Sequence, residues 1–389
     1  MASDTQFSVV QSPPFPTPKV RARDFQIRRD GLSSTRFVDL VLPEPADLAP
    51  GELLLQISSV ALSANNITYA VLGERMSYWK FFPVDPASDD AEWGRLPVWG
   101  FADVRYSAHP EIAAGERIYG YFPLSTHLKV GADRVSARGF VDASPHRAAL
   151  PAVYQQYRRY AADQNYAPER EVLQAILLPL LFTAFLLCDE IVARIPAGKS
   201  VVLLTSASSK TALATAFLLR ALRPAGCEII ALTSAKHREF VRERGCFDRV
   251  LEYSDVESLA PDQSAIAVDF SGNLALMARI HAHCQGLQHS LRIGVTHWHE
   301  ATATGGEKTA LVGPKPELFF APEYARNRVV QWGAAEFERR TAAAWLAMLL
   351  WAESWLLVRT DTGEAAIGDA YLAALNGVSA ADVGQMLAY

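Results

Sequence analysis

The sequence predicts an α/β protein in which a doubly wound, parallel-sheet half is inserted into a β-rich half. Between residues 201 and 295 short apolar runs alternate with helical stretches, and from residue 24 to about 141 short alternating segments are separated by turn residues. After about residue 300 that rhythm stops. Strand and helix in alternation demand a parallel sheet with right-handed crossovers, whereas half-buried strands joined by turns build an antiparallel sheet.

Taken in order, residues 52–60, 116–121 and 127–130 read as strands, and residues 77–96, with Pro83, Pro86 and adjacent acids, as a loop insertion. A polar, aromatic stretch, 151–166, leads into an apolar helix over 172–192. Residues 201–204, 228–232, 249–251, 265–270 and 290–295 then read as strands, with helices over 210–222, 237–244 and 274–284 between them. Gly305, Gly306, Pro314, Pro316 and Pro322 mark an irregular connection, and 339–358 reads as a helix whose Trp345, Leu349 and Trp355 suit core or subunit packing. The expected domains are 1–171, 172–300 and 301–389, the last returning to the β-rich half.

At 389 residues and 50% hydrophobic the chain can bury two cores. A net charge of −5, with no basic run, gives no attraction to nucleic acid or anionic lipid, and neither is expected as a partner. Residues 1–19 lack the apolar stretch of a secretory signal and residues 173–187 are too short for a bilayer, so a cytoplasmic protein is expected. Cys188, Cys227, Cys246 and Cys284 are widely spaced and read as isolated thiols.

Three segments carry a resemblance. Residues 96–104, with Pro97, Gly100 and Val104, precede Gly115-Glu116-Arg117-Ile118; Pro179 to Ala184 follows; and residues 243–253 read ERGCFDRVLEY. In this order they resemble the zinc-independent medium-chain dehydrogenase/reductase superfamily, quinone and enoyl reductase-like, and most closely its DUF2855-like branch. The resemblance covers most of residues 24–300. It implies a GroES-like β-rich domain beside a Rossmann-like dinucleotide-binding domain.

The residues themselves make physical sense of a nucleotide site. The strand at 201–204 runs into Thr205-Ser206-Ala207-Ser208-Ser209-Lys210-Thr211 and a helix, placing backbone amides and hydroxyls where a pyrophosphate would sit. The glycine fingerprint is replaced, with Thr205, Ser208 and Thr211 at its three positions. A phosphate-loop reading of Lys210-Thr211 needs glycines where Leu204 and Ser209 stand, and a serine-rich turn that merely caps a helix is the plain alternative. The end of the second strand, Thr233-Ser234-Ala235-Lys236-His237, has no acid to accept from ribose hydroxyls, so a 2′-phosphate and hence NADPH are expected, with Ser234 and Lys236 as its holders unless they only cap and solvate the helix. By the resemblance, Tyr253 and Thr183 of the hinge helix also face the cofactor.

No cysteine precedes Cys188, and neither His281, His283, Cys284 and His289 nor His297 to Glu300 has the spacing of a zinc site, so no catalytic metal is expected. Without zinc the chemistry open to such a fold is hydride transfer to an activated C=C or quinone of a small hydrophobic, carbonyl-conjugated substrate. By the resemblance the loop 61–73 lines the nicotinamide, which makes Tyr69, Asn65 and Asn66 the catalytic candidates, against a reading in which they hold the loop and fill the core. The aromatic residues 76–82 suggest a lid or an apolar substrate wall, with core packing as the alternative. A non-redox lyase or isomerase on the same frame, and a binding subunit that has lost catalysis, remain as alternatives. A homodimer is an open expectation.

Overall fold

A computed structural model describes residues 21–84, 91–163, 166–196, 198–293 and 311–389. The N-terminal part runs through β1 (Arg23–Arg28), β2 (Thr35–Asp39), β3 (Glu52–Leu62), α1 (Ala64–Val71), β4 (Trp93–Arg95) and β5 (Pro97–Ser107). It continues with β6 (Arg117–Pro123), β7 (His127–Ser136), β8 (Gly139–Asp142) and β9 (Gln156–Arg159). A long helix, α2 (Glu171–Arg194), leads into β10 (Ser200–Leu204), α3 (Lys210–Leu222), β11 (Cys227–Thr233), α4 (Arg238–Glu243), β12 (Arg249–Glu252), β13 (Ser264–Asp269), α5 (Leu274–His283) and β14 (Leu287–Arg292). The C-terminal part is β15 (Glu317–Leu318), α6 (Ala321–Trp332), α7 (Ala334–Ala352), β16 (Leu357–Thr362), α8 (Glu364–Leu375) and β17 (Val383–Ala388).

Among the described residues the strands form three sheets: β2-β1-β4; a six-stranded parallel sheet ordered β12-β11-β10-β13-β14-β15; and an eight-stranded sheet ordered β16-β17-β3-β5-β6-β9-β8-β7. The central strands β10, β11 and β13 are mostly apolar, as a sheet covered on both faces requires; Val202, Leu203 and Leu204 are fully buried. In the eight-stranded sheet β3 and β5 pair so closely at Gly100 that a Cβ there would lie 2.2 Å from the Ser59 carbonyl oxygen, which is why the segment 96–104 carries glycine.

Several elements differ from the sequence expectation. The insertion at 77–96 contributes β4, which pairs with β1, and the aromatic stretch 151–166 contributes β9, a strand too short and too polar to announce itself. The helix expected over 339–358 begins at Ala334 and stops at Ala352, because the Leu357 amide donates to the Asp382 carbonyl and joins β17 instead of continuing the helix. The connection read as irregular holds α6, and the parallel sheet does not close at residue 300, since β15 adds to it at Leu291 and Arg292. β17 pairs antiparallel with β3, so the C-terminus lies in the β-rich sheet.

Helix α2 joins the two halves. Its 24 residues are longer than the 173–187 stretch suggested, and by length and composition it could cross a membrane, but it is packed against α3 and α7 and against β3 and β5. All four cysteines are free and buried.

One buried group should make the β-rich half acid-sensitive. His127 on β7 is 5% exposed, with Nδ1 2.8 Å from the Thr126 hydroxyl, and burial, helped by Arg105, lowers its pKa from 6.5 to about 4. A depressed histidine pKa means that the unfolded chain binds the proton more tightly, so stability is whole above pH 6.5 and drains away as pH falls towards 4. The loss from this group should reach about 3 kcal/mol. Urea unfolding of His127→Gln should show a flatter stability profile between pH 7 and 5 than the parent, and identical profiles would refute the assignment.

Candidate active site

The site lies where the β-rich sheet meets α2. β3 ends at Leu62, and Ser63, extended at φ −148°, begins α1; the Trp99 end of β5 pairs with Ala61. Ala61, Ser63, Asn65, Asn66 and Trp99 form one wall of a narrow cleft, and Ala175, Ile176, Pro179 and Leu180 of α2 form the other. The α2 wall is therefore apolar, while the α1 wall presents amides and a hydroxyl.

The three catalytic candidates part company here. Asn66 is fully committed: its Oδ1 accepts from the Ser63 amide at 2.8 Å and hydroxyl at 3.1 Å, and its Nδ2 donates to the Pro97 carbonyl at 2.9 Å. It fixes the start of α1, with both acceptor positions of Oδ1 and one N–H of Nδ2 spent within the protein. Tyr69 is 5% exposed and does not line the cleft; its ring packs among Tyr78, Tyr121 and Tyr154. Burial raises the pKa of its phenol, so it stays neutral, and its oxygen accepts from Asn65 Nδ2 at 2.7 Å. Asn65 and Tyr69 stand four residues apart on one face of α1, so the buried hydroxyl braces the amide at the cleft. Of the two, Asn65 lines the cleft and Tyr69 lies behind it, bonded to its amide. The stretch 76–82 is core packing rather than a lid or a substrate wall: Tyr78, Trp79, Phe81 and Phe82 are all buried, and none of them lines the cleft.

At the far end of the molecule's other half, β10 turns into α3. The side chain of Thr205 points inward: its hydroxyl donates to Asp269 Oδ1 at 2.7 Å and accepts from the amides of Phe270 and Ser271. It ties the ends of β10 and β13 together. The left-handed residue of the turn is Ser206, at φ +47°, rather than any of Thr205, Ser208 and Thr211. A non-glycine there costs about 1 kcal/mol. Ser209 caps α3, accepting from the Ala212 amide at 3.3 Å, and the first-turn amides of Lys210 and Thr211 have no helical carbonyl to meet.

Lys210 does not serve this turn. Its ammonium donates to the Ala381 carbonyl at 3.1 Å, and burial lowers its pKa to about 8, with Asp382 acting against the fall. It fastens α3 to the segment before β17. Thr183 is likewise turned to its own helix, its hydroxyl 3.5 Å from the Pro179 carbonyl. Tyr253 opens the turn after β12 and packs half-buried against the core under the parallel sheet.

The turn after β11 adds His237, which was not among the residues expected at the site. His237 Nδ1 lies 3.3 Å from the Ser208 hydroxyl and 3.2 Å from the Ser234 hydroxyl, so it joins the turn after β10 to the turn after β11. Burial, then the neighbouring Lys236, lowers its pKa. Lys236 itself is exposed beside it. The nearest acid on the next strand, Glu252, is bonded to Arg238 at 3.2 Å. Hydroxyls, an imidazole and an ammonium with no free carboxylate are a donor set that fits a phosphate monoester at a ribose. The one signal in the sequence was Ser234-x-x-His237, a spacing that a single 3-10 turn brings together.

Of the histidine clusters, His281 bonds to Val312 O and Ser290 Oγ, and His283 to Leu259 O, so they face separate partners. Residues 297–300 lie outside the described residues. Among the described residues no three His, Cys, Asp or Glu side chains are grouped as metal ligands.

A GroES-like β-rich sheet joined through a long helix to a Rossmann-like parallel sheet is the fold of the medium-chain dehydrogenases and reductases, and solved structures of that class superpose on the chain. CurA from Vibrio vulnificus in complex with NADPH matches with a TM-score of 0.60 at 14% identity, covering 94% of this chain and 99% of its own. A putative NADPH:quinone reductase from Bacillus thuringiensis matches with a TM-score of 0.51 at 15% identity, covering 95% and 100%. Mycobacterial Rv1454c complexed with NADPH matches with a TM-score of 0.55 at 14% identity, again covering 95% and 100%. The chain belongs to the family described as "Protein of unknown function (DUF2855)", whose model matches residues 60–380. No curated protein matches the sequence.

Proposed function

We propose that this protein is an NADPH-dependent, zinc-independent cytoplasmic reductase that delivers hydride to an activated C=C or quinone of a small hydrophobic substrate. The observation that carries the reading is the meeting of Ser208, Ser234 and His237 at the ends of β10 and β11, without a free carboxylate. The NADPH-bound neighbours of the same fold support it.

When bound, the reduced nicotinamide supplies the hydride. Ser208, Ser234, His237 and Lys236 hold the 2′-phosphate, and the first-turn amides of α3 with the Ser209 turn face the pyrophosphate. At the cleft, the Asn65 amide, braced by Tyr69, donates to the substrate's conjugated carbonyl and stabilises charge that develops on its oxygen. Ile176, Pro179, Leu180 and Trp99 exclude water and select an apolar acceptor.

Fluorescence titration should find NADPH bound at least tenfold more tightly than NADH, a difference of about 1.4 kcal/mol. Lys236→Ala and His237→Ala should each narrow that gap, mainly by weakening NADPH. Equal affinities in the parent would remove the 2′-phosphate assignment, and failure of both nucleotides to bind would favour the binding-subunit reading, in which the strained Ser206 turn is only a helix cap. Oxidation of NADPH by an enone, an enoyl thioester or a quinone, followed by absorbance, tests the reaction class.

A further inference from the structure

His237 meets two serines with one nitrogen. Its Nδ1 lies 3.3 Å from the Ser208 hydroxyl and 3.2 Å from the Ser234 hydroxyl, and among the described residues nothing bonds to Nε2. The ring is half-buried, and burial with the neighbouring Lys236 holds its pKa below the usual histidine range, so without a ligand it is neutral above about pH 7. The other charges nearby are spent on one another. Arg238 and Glu252 bond at 3.2 Å and Glu239 and Arg242 at 2.6 Å, Asp255 accepts from the Glu252 amide, and Lys210 of the facing turn is held by the Ala381 carbonyl.

A neutral imidazole carries a single N–H. With that hydrogen on Nδ1, Nε2 turns a lone pair towards an incoming anion. With it on Nε2, Nδ1 has to accept, and it draws in the serine hydrogens that a phosphate would otherwise receive. Only the imidazolium donates from both nitrogens, Nε2 outward and Nδ1 to a serine oxygen, and so releases the hydroxyl hydrogens. A phosphate monoester, dianionic above about pH 6, is the ligand that favours this state.

We infer that His237 takes up a proton from solvent when NADPH binds, and that this proton turns the Ser208 and Ser234 hydroxyls from donors to the ring into donors to the 2′-phosphate. The inference rests on the assignment of the 2′-phosphate to this corner. It makes the choice of nucleotide depend on pH. The bound state holds the proton more tightly than the free state, so NADPH affinity climbs as pH falls through the bound-state pKa of the ring. NADH, with plain ribose hydroxyls, has no such slope.

Isothermal titration calorimetry in buffers of different ionisation enthalpy counts the protons. At about pH 7.5, where the phosphate is already dianionic, the full chain should take up about half a proton or more per NADPH and close to none per NADH. In the parent the NADPH-to-NADH affinity ratio should rise about fivefold or more from about pH 8 to about pH 6.5. His237→Gln, whose amide can bond to the serines without titrating, should abolish the uptake and flatten that rise. Ser208→Ala with Ser234→Ala should weaken NADPH more at the lower pH than at the higher, because the hydroxyls serve the phosphate only when the ring is charged. Selective NADPH binding without proton uptake, or uptake that survives in His237→Gln, overturns the proposal and leaves the cofactor assignment standing. Equal affinities for NADPH and NADH remove that assignment, and this inference with it.

Discussion

Arg147→Met is expected to destabilise the β-rich half by about 3–5 kcal/mol, because it strands a buried carboxylate. Arg147 and Asp142 have side chains 1% and 2% exposed, and they meet at 2.6 Å. The guanidinium also donates to the Tyr157 hydroxyl at 3.0 Å and to the Tyr154 carbonyl at 2.5 Å, and it lies between the rings of Phe81 and Phe82, 5.5 and 5.0 Å from their centres. Asp142 is held from its other side by the Gly131 amide and by the Ser144 amide and hydroxyl. Once the arginine is gone the carboxylate keeps those three donors but loses its counter-charge in an apolar setting. The double variant Arg147→Met with Asp142→Asn should recover about 1–2 kcal/mol, since an amide oxygen still accepts from Gly131 and Ser144 and carries no charge. Urea unfolding followed by tryptophan fluorescence measures both. A single variant within about 1 kcal/mol of the parent would mean that water reaches Asp142. Because this arginine clamps residues 81–82 to residues 154–157, the aromatic layer behind the cleft should loosen with it.

Asn65→Ala is expected to lower kcat/KM towards a conjugated carbonyl substrate by about 10²–10³-fold while NADPH affinity stays unchanged, the size of effect seen when one donor to a developing oxyanion is removed. Tyr69→Phe should cost far less, about fivefold, the equivalent of about 1 kcal/mol for one neutral hydrogen bond, because it only frees the Asn65 amide to turn. The contrast follows from burial: the Tyr69 oxygen accepts from Asn65 Nδ2 and is shut off from the cleft, whereas Asn65 lines it. A Tyr69→Phe variant as impaired as Asn65→Ala would return the proton-donor role to the phenol. Asn66→Ala should act through stability rather than turnover, since all three of its bonds go to the α1 start and the β5 strand.

What the sequence by itself determined is the periodic part of the protein. Leu203 and its neighbours, with apolar side chains on both faces, can only be a strand inside a covered sheet, and the helix after Ser209 was legible to its last residue, Leu222, from spacing and cap. The absence of an acid after Thr233 was equally plain, because the residue type at the end of a strand is read without knowing where anything else lies. Tertiary structure decided the rest. Which way the Thr205 hydroxyl points depended on Asp269, 64 residues away, which turns it inward. Whether Lys210 faces a phosphate or Ala381 depended on a segment 171 residues later. His237 became part of the site only when Ser208 and Ser234 came to either side of it, and Tyr69 left the cleft because the tyrosines at 78, 121 and 154 closed around its ring. Local pattern fixes where a backbone goes, because propensity and periodicity act over a few residues. Which way a polar side chain points is settled by the distant partner that satisfies it once water is gone.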